Sequence, residues 1–185
     1  MLMEALAQGW PGARQKYGLP PDDDQAIVIW GQLWLALVAI PLAMKRNRPF
    51  WHLDNGWVKP GRGGQGPDCY YRMTYRGMSP ALLTDAPPSR ISVAMKPWHA
   101  DGRHILIAMP GREFGQAIGF NMPPWIASIV ADVRRCTDRP IVVRDRLSKT
   151  PLADDLRNCW ALVTHSSNVA VDAVLMGIPV FVAPT

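Results

Sequence analysis

The residues able to do chemistry gather where apolar runs give way to glycine, proline or hydroxyl side chains. The most distinct such junction is Thr164-His165-Ser166-Ser167-Asn168, between the apolar run Cys159 to Val163 and the segment Val169 to Met176. Ser and Asn at a helix start cap its first turn, while free backbone N–H groups and the helix dipole favour an anion. His165, Ser166, Ser167 and Asn168 therefore read in two ways: as a phosphate site, or as a capped turn with a polar residue at a strand end. A second junction, Asp54-Asn55-Gly56, opens a stretch rich in glycine, proline and basic residues that runs to Pro67. A carboxylate at a strand end, beside a glycine where backbone can approach a substrate closely, suits acid/base work by Asp54, with Asn55 and Gly56 as substrate contacts. The same three residues also spell a turn.

Arg144 and Arg146 follow the run Ile141 to Val143, and Arg112 follows Pro110-Gly111. Each guanidinium can grip a diphosphate with a fork of donors, or serve as solvated surface or a structural ion pair. Trp51, Trp57, Tyr70, Tyr71 and Tyr75 flank the glycine-rich stretch and can stack on sugars or bases, or pack as core. His52, His99 and His104 have no ligand spacing and receive no role. The three cysteines form no CxxC or Cys/His metal pattern, which points to a reduced, cytoplasmic protein without a structural metal. No Ser-His-Asp order and no GxGxxG fingerprint after a strand is present.

These residues need elements to position them. With 185 residues and 48% hydrophobic content the chain can bury a core, and its +5 net charge suits a phosphate-bearing ligand or a nucleic acid. The first ten residues lack a secretory signal pattern. Ala26 to Met44 holds nineteen uncharged residues, but Gly31-Gln32 and Pro41 interrupt it. It divides best into a strand over Ala26–Trp30, a turn and a buried helix over Gln32–Met44, rather than a membrane span. Further strands are expected at about Phe50–Leu53 and Tyr70–Tyr75, and Thr84–Ser89 reads as loop. From His104 onward the alternation is regular: strands His104–Met109, Ile141–Arg144, Cys159–Thr164 and Pro179–Val182, with helices Pro124–Cys136, Pro151–Asn158 and Asn168–Met176 between them. Four strands separated by three helices predict βαβ crossovers and a parallel sheet. An α/β fold of two Rossmann-like parallel-sheet halves follows, an N-terminal domain over 1–100 and a C-terminal, nucleotide-binding one over 101–185. The latter reads as incomplete, because it stops just after a strand.

The Ser-Ser turn followed by Asp172, Ala173, Gly177, Pro179 and Val180 resembles the donor-binding half of GT-B glycosyltransferases, in particular the capsule-polysaccharide group that includes Kdo transferases. Asp54-Asn55-Gly56-Trp57-Val58-Lys59-Pro60 is similar to the acidic-x-Gly-aromatic-x-basic-Pro segment of that group. The chain also resembles glycosyltransferase-like proteins of phages and prophages. The resemblance implies a metal-independent transferase with no cofactor, its co-substrate a nucleotide-sugar. His165, Ser166 and Ser167 would hold the donor phosphate, Asp172 would stand where the family has Glu, and Asp54 would take the proton of a glycan or polymer acceptor in a cleft between the halves. The rival readings are a phage nucleic-acid-binding or DNA-modifying protein, and a catalytically inactive remnant of a glycosyltransferase. No stable membrane insertion is expected.

Overall fold

The computed structural model describes residues 2–31, 35–57, 71–77, 93–99, 101–112, 115 and 119–183. The chain divides into two compact units, Met1–Pro88 and Ser89–Thr185. Residues 58–67 of the glycine-rich stretch, Tyr70 and the 84–89 segment lie outside the described residues.

In the N-terminal unit a short helix α1 (Leu2–Gly9) precedes strand β1 (Ile27–Trp30), helix α2 (Leu35–Lys45), and strands β2 (Phe50–Asn55) and β3 (Tyr71–Tyr75). The sheet order is β1-β2-β3. β1 and β2 are parallel, but β3 joins β2 antiparallel, so this half is a mixed sheet and not the wholly parallel one expected. Cross-strand partners explain the direction: Asp54 lies opposite Arg72 and Trp51 opposite Tyr75, opposite charges and paired rings that each favour this register. Helix α2 packs Ala36, Ala39, Ile40 and Ala43 against Ile29 and Phe50. It ends in a Schellman motif, with Asn47 at φ 52°, Arg48 N–H donating to the Ala43 carbonyl (2.9 Å) and Asn47 N–H to that of Met44 (3.1 Å). The buried Arg48 then donates to the carbonyls of Gln25 (2.7 Å) and Pro21 (2.6 Å) and pairs with Asp23, tying the acidic lead-in to the sheet.

The C-terminal unit is a doubly wound α/β layer structure. Strands β4 (His104–Ala108), β5 (Ile141–Arg144), β6 (Cys159–Thr164) and β7 (Val180–Val182) alternate with helices α3 (Met122–Cys136), α4 (Leu152–Arg157) and α5 (Val169–Leu175). All four strands are parallel, in the order β5-β4-β6-β7. Ile105, Ile107, Ala161 and Val163 meet Phe120, Trp125 and Ile129 on one face. Leu106, Ala108 and Leu162 meet Leu156, Ala173 and Ile178 on the other. Burial on both faces is why these strands read as continuous apolar runs. Pro123 and Pro124 sit in the first turn of α3, where a missing N–H costs no helical bond. Gly177, at φ 78°, closes α5 in a second Schellman motif, with Ile178 N–H donating to the Ala173 carbonyl (2.9 Å).

No helix among the described residues is long and apolar enough to cross a membrane. The uncharged run from Ala26 contributes β1 and α2, with residues 32–34 outside the described set.

Candidate functional site

From β4 the chain winds one way to β5, and from β6 the other way to β7, so the sheet has a topological switch point between β4 and β6. Connections leaving the carboxyl ends of two such strands diverge and open a crevice, the place where open α/β sheets bind ligands. Here it is flanked by Met109-Pro110-Gly111-Arg112 after β4 and by His165-Ser166-Ser167 after β6.

The crevice floor is pinned by one side chain. Buried Thr164 donates its hydroxyl to the Ala108 carbonyl (2.7 Å) and accepts from Ser167 N–H (3.1 Å), locking the two strand ends and the turn together. His165 is half-buried. Its ring lies 4.6 Å from that of Phe120 and meets Trp125 edge-on at 6.4 Å, and its Nδ1 hydrogen-bonds the Ser166 hydroxyl at 3.0 Å. Trp125 is itself held by Nε1–H donation to the Ala183 carbonyl (3.3 Å). A fixed imidazole beside an exposed serine hydroxyl is the polar equipment of this edge. Arg112 is exposed, in helical backbone on the facing side.

The expected anion cradle of backbone N–H groups is corrected. Val169 N–H donates to the Ser167 hydroxyl (3.4 Å), Ala170 N–H to the Ser167 carbonyl (3.1 Å) and Val171 N–H to the Asn168 carbonyl (3.1 Å). These three donors are satisfied within the turn, and Ser167 is the cap. Asn168 has helical dihedrals and makes no side-chain cap bond. Asp172 is half-buried in the first turn of α5.

Arg144 takes the structural ion-pair role, one of the two readings its type allowed, and not that of a diphosphate clamp. Its Nη1 pairs with the Asp155 carboxylate and donates to the Thr150 carbonyl (2.9 Å), while the Thr150 hydroxyl donates to Asp155 (3.1 Å). Arg144 thereby ties the end of β5 to α4. Arg146 is exposed in the turn that follows.

No protein family, curated protein or solved structure matches the chain. Its site has to be read from its own atoms.

In the N-terminal unit Asp54 and Asn55 are the last residues of β2, a correction to the expected turn, because pairing with Arg72 and Tyr71 outweighs their turn preference. Asp54 Oδ2 accepts from Arg72 Nη2 (2.6 Å) and Oδ1 from Asn55 N–H (2.8 Å), and both side chains of the ion pair are under one-fifth exposed. Its carboxylate is thus held by a cation at ion-pair distance. Gly56 is buried and Trp57 exposed, with the Arg72 guanidinium 5.2 Å from the Trp57 ring centroid. His52, given no role by spacing, is 1% exposed, and its Nε2 bonds the Gly31 carbonyl at 2.8 Å. A lone histidine in an apolar strand carries no sequence signal for such a role. Among the described residues no group of three or more His, Cys, Asp or Glu could hold a metal ion.

Proposed function

We propose that the C-terminal unit binds the nucleotide of a nucleotide-activated sugar at the β4/β6 switch point, and that the chain is a cytoplasmic glycosyltransferase-like protein of GT-B type. One observation carries this reading: the parallel order β5-β4-β6-β7 brings His165-Ser166 and the Pro110-Gly111-Arg112 segment to the two sides of the switch point between β4 and β6. The resemblance of the segment from His165 to Val180 to GT-B donor sites supports the same ligand. His165 and Ser166 would donate to the phosphate oxygens and Arg112 would offset their charge, an electrostatic contribution that grows as the nucleotide departs. Ser167 and Arg144 take positioning roles, the first as helix cap and the second as the tie between β5 and α4.

A thermal-shift panel of UDP-, GDP-, CMP- and TDP-sugars tests the reading. A ligand binding only the folded state stabilises it by about 2.7 kcal/mol at a hundredfold excess over Kd. One nucleotide class is expected to raise Tm, and the rise to shrink in Ser166→Ala and in His165→Ala while the unliganded Tm of Ser166→Ala stays near wild type. If every nucleotide leaves Tm unchanged while DNA at low salt raises it, the nucleic-acid reading takes its place.

A further inference from the structure

Helix α2 is apolar on the side it buries and also on the side it does not. Ala36, Ala39, Ile40 and Ala43 pack on the sheet, yet Leu35 (46% exposed), Val38 (52%), Pro41 and Met44 (60%) meet solvent. At about 3.6 residues per turn, Val38, Pro41 and Lys45 share the outer side, with Leu35 and Met44 at its two margins. A helix lying on a sheet in water ordinarily carries its charged residues on that side. In α2 no charge precedes Lys45, so the exposed apolar residues form one stripe and are not scattered singly.

Cations border this stripe. Lys45 and Arg46 are exposed at the C-terminal end of α2. The Arg46–Asp22 ion pair brings the segment before β1 to that end, where Pro20 lines a small depression with Leu42, Ala43 and Arg46. Leu19 is 48% exposed and Tyr17 almost wholly so, and three residues of chain hold Tyr17 within about 11 Å of Pro20. Exposed Arg14 and Lys16 precede it. Residues 10–48 carry five basic side chains against three acidic ones. Arg46 and Arg48 engage Asp22 and Asp23, so Arg14, Lys16 and Lys45 outnumber the remaining acid, Asp24.

We propose that the outer side of α2 docks on the surface of an anionic lipid bilayer, with Leu35, Val38, Pro41 and Met44 at the boundary of headgroups and acyl chains and with Lys45, Lys16 and Arg14 on the phosphates. The eleven residues of α2 span about 16 Å, half the roughly 30 Å of a hydrocarbon core, so the helix lies along the surface and does not cross it. Tyr17 suits the same boundary, where a ring has one end apolar and the other wet. Charge favours lipid over a second copy of the chain. Antiparallel pairing of two α2 helices would set Lys45 against Leu35 of the other copy, and parallel pairing would set lysine against lysine. Neither gives the ammonium a carboxylate, whereas at a bilayer its flexible stem carries it to a phosphate and to water. The inference goes beyond the nucleotide reading and uses the N-terminal unit alone, so each can fail without the other.

The test sediments the full chain with vesicles of phosphatidylcholine alone and of equal parts phosphatidylcholine and phosphatidylglycerol. Binding to the mixed vesicles is expected to be roughly tenfold tighter or more, and to weaken as salt is raised. Val38→Glu places a charge at an exposed position; it should keep a Tm near wild type and lose roughly tenfold or more in binding to the mixed vesicles. Lys45→Gln should lose about fivefold. No binding to the mixed vesicles overturns the proposal, as does equal binding to both kinds or undiminished binding by Val38→Glu. Light scattering without lipid identifies the rival occupant: a dimer that Val38→Glu dissociates would assign the stripe to a second copy, and the proposal would be wrong. The wild-type comparison of the two vesicles decides even if a variant does not fold.

Discussion

In the C-terminal sheet Leu106 and Leu162 meet one helical layer while Ile105, Ile107 and Val163 meet another, whereas in the N-terminal sheet Ile29 and Phe50 meet α2 and the opposite face carries Trp30, Met73 and Tyr75 exposed. On that second face Trp30 reaches across to Tyr71 (5.9 Å between centroids) and Trp51 lies 4.8 Å from Tyr75, so rings take the place of a helix. The contrast ties sequence pattern to layer count. A strand covered twice can bury an apolar side chain at every position, whereas one covered once leaves some of them exposed, as Trp30 is at the end of β1.

The largest effects should come from truncating the doubly covered core. Leu162→Ala should cost about 2–5 kcal/mol, because a fully buried leucine leaves a cavity between two layers. Tyr75→Ala on the open face should cost about 1 kcal/mol, chiefly its ring contact with Trp51. Urea unfolding followed by hydrogen exchange in each unit measures both, and equal costs would refute the contrast.

The two Schellman caps offer a sharper comparison. Asn47 and Gly177 both have left-handed backbone, but a Cβ at Gly177 would come 2.0 Å from the Pro97 carbonyl oxygen. Asparagine tolerates the dihedral and cannot escape that contact. Gly177→Asn should therefore destabilise by about 1–3 kcal/mol through overpacking, while Asn47→Gly changes stability by about 0.5 kcal/mol or less. Matched thermal melts of the two variants test this, and similar shifts would show that the segment holding Pro97 yields.

At neutral pH the smallest effect concerns the thiols. Burial pushes the Cys159 thiol up to about 11, against 9.0 for an ordinary cysteine, while Cys136 is exposed. A raised folded-state value means the contribution is complete below pH 9 and is lost as pH climbs through about 11, because only the unfolded chain ionises readily in that window. Stability should fall over that range in wild type and less in Cys159→Ala. A thiol reagent at neutral pH should modify Cys136 in the folded protein and Cys159 only after unfolding.

Much of the C-terminal unit was legible because its evidence is local. The strand Cys159–Thr164 was placed residue for residue, and α3 and α5 lie within two residues of their expected starts, since Pro123-Pro124 marks the first start and the Ser167-Asn168 turn the second. β2 ran two residues further than expected, through Asp54 and Asn55, because partners on β3 overrode their turn preference. The capping role of Ser167 was one of the two readings its type and position allowed, but which donors it would satisfy was not.

By itself the sequence determined the alternation of strands and helices, the apolar faces and the cap positions, all of which follow from residues within a few places of one another. The tertiary structure alone decided the order β5-β4-β6-β7 and hence the crevice, and it alone paired Arg144 with Asp155 and Arg72 with Asp54. It also left His52 Nδ1 buried without a partner. A side chain's hydrogen bonds depend on which strand lies beside it in space, and spacing along the chain does not encode that distance.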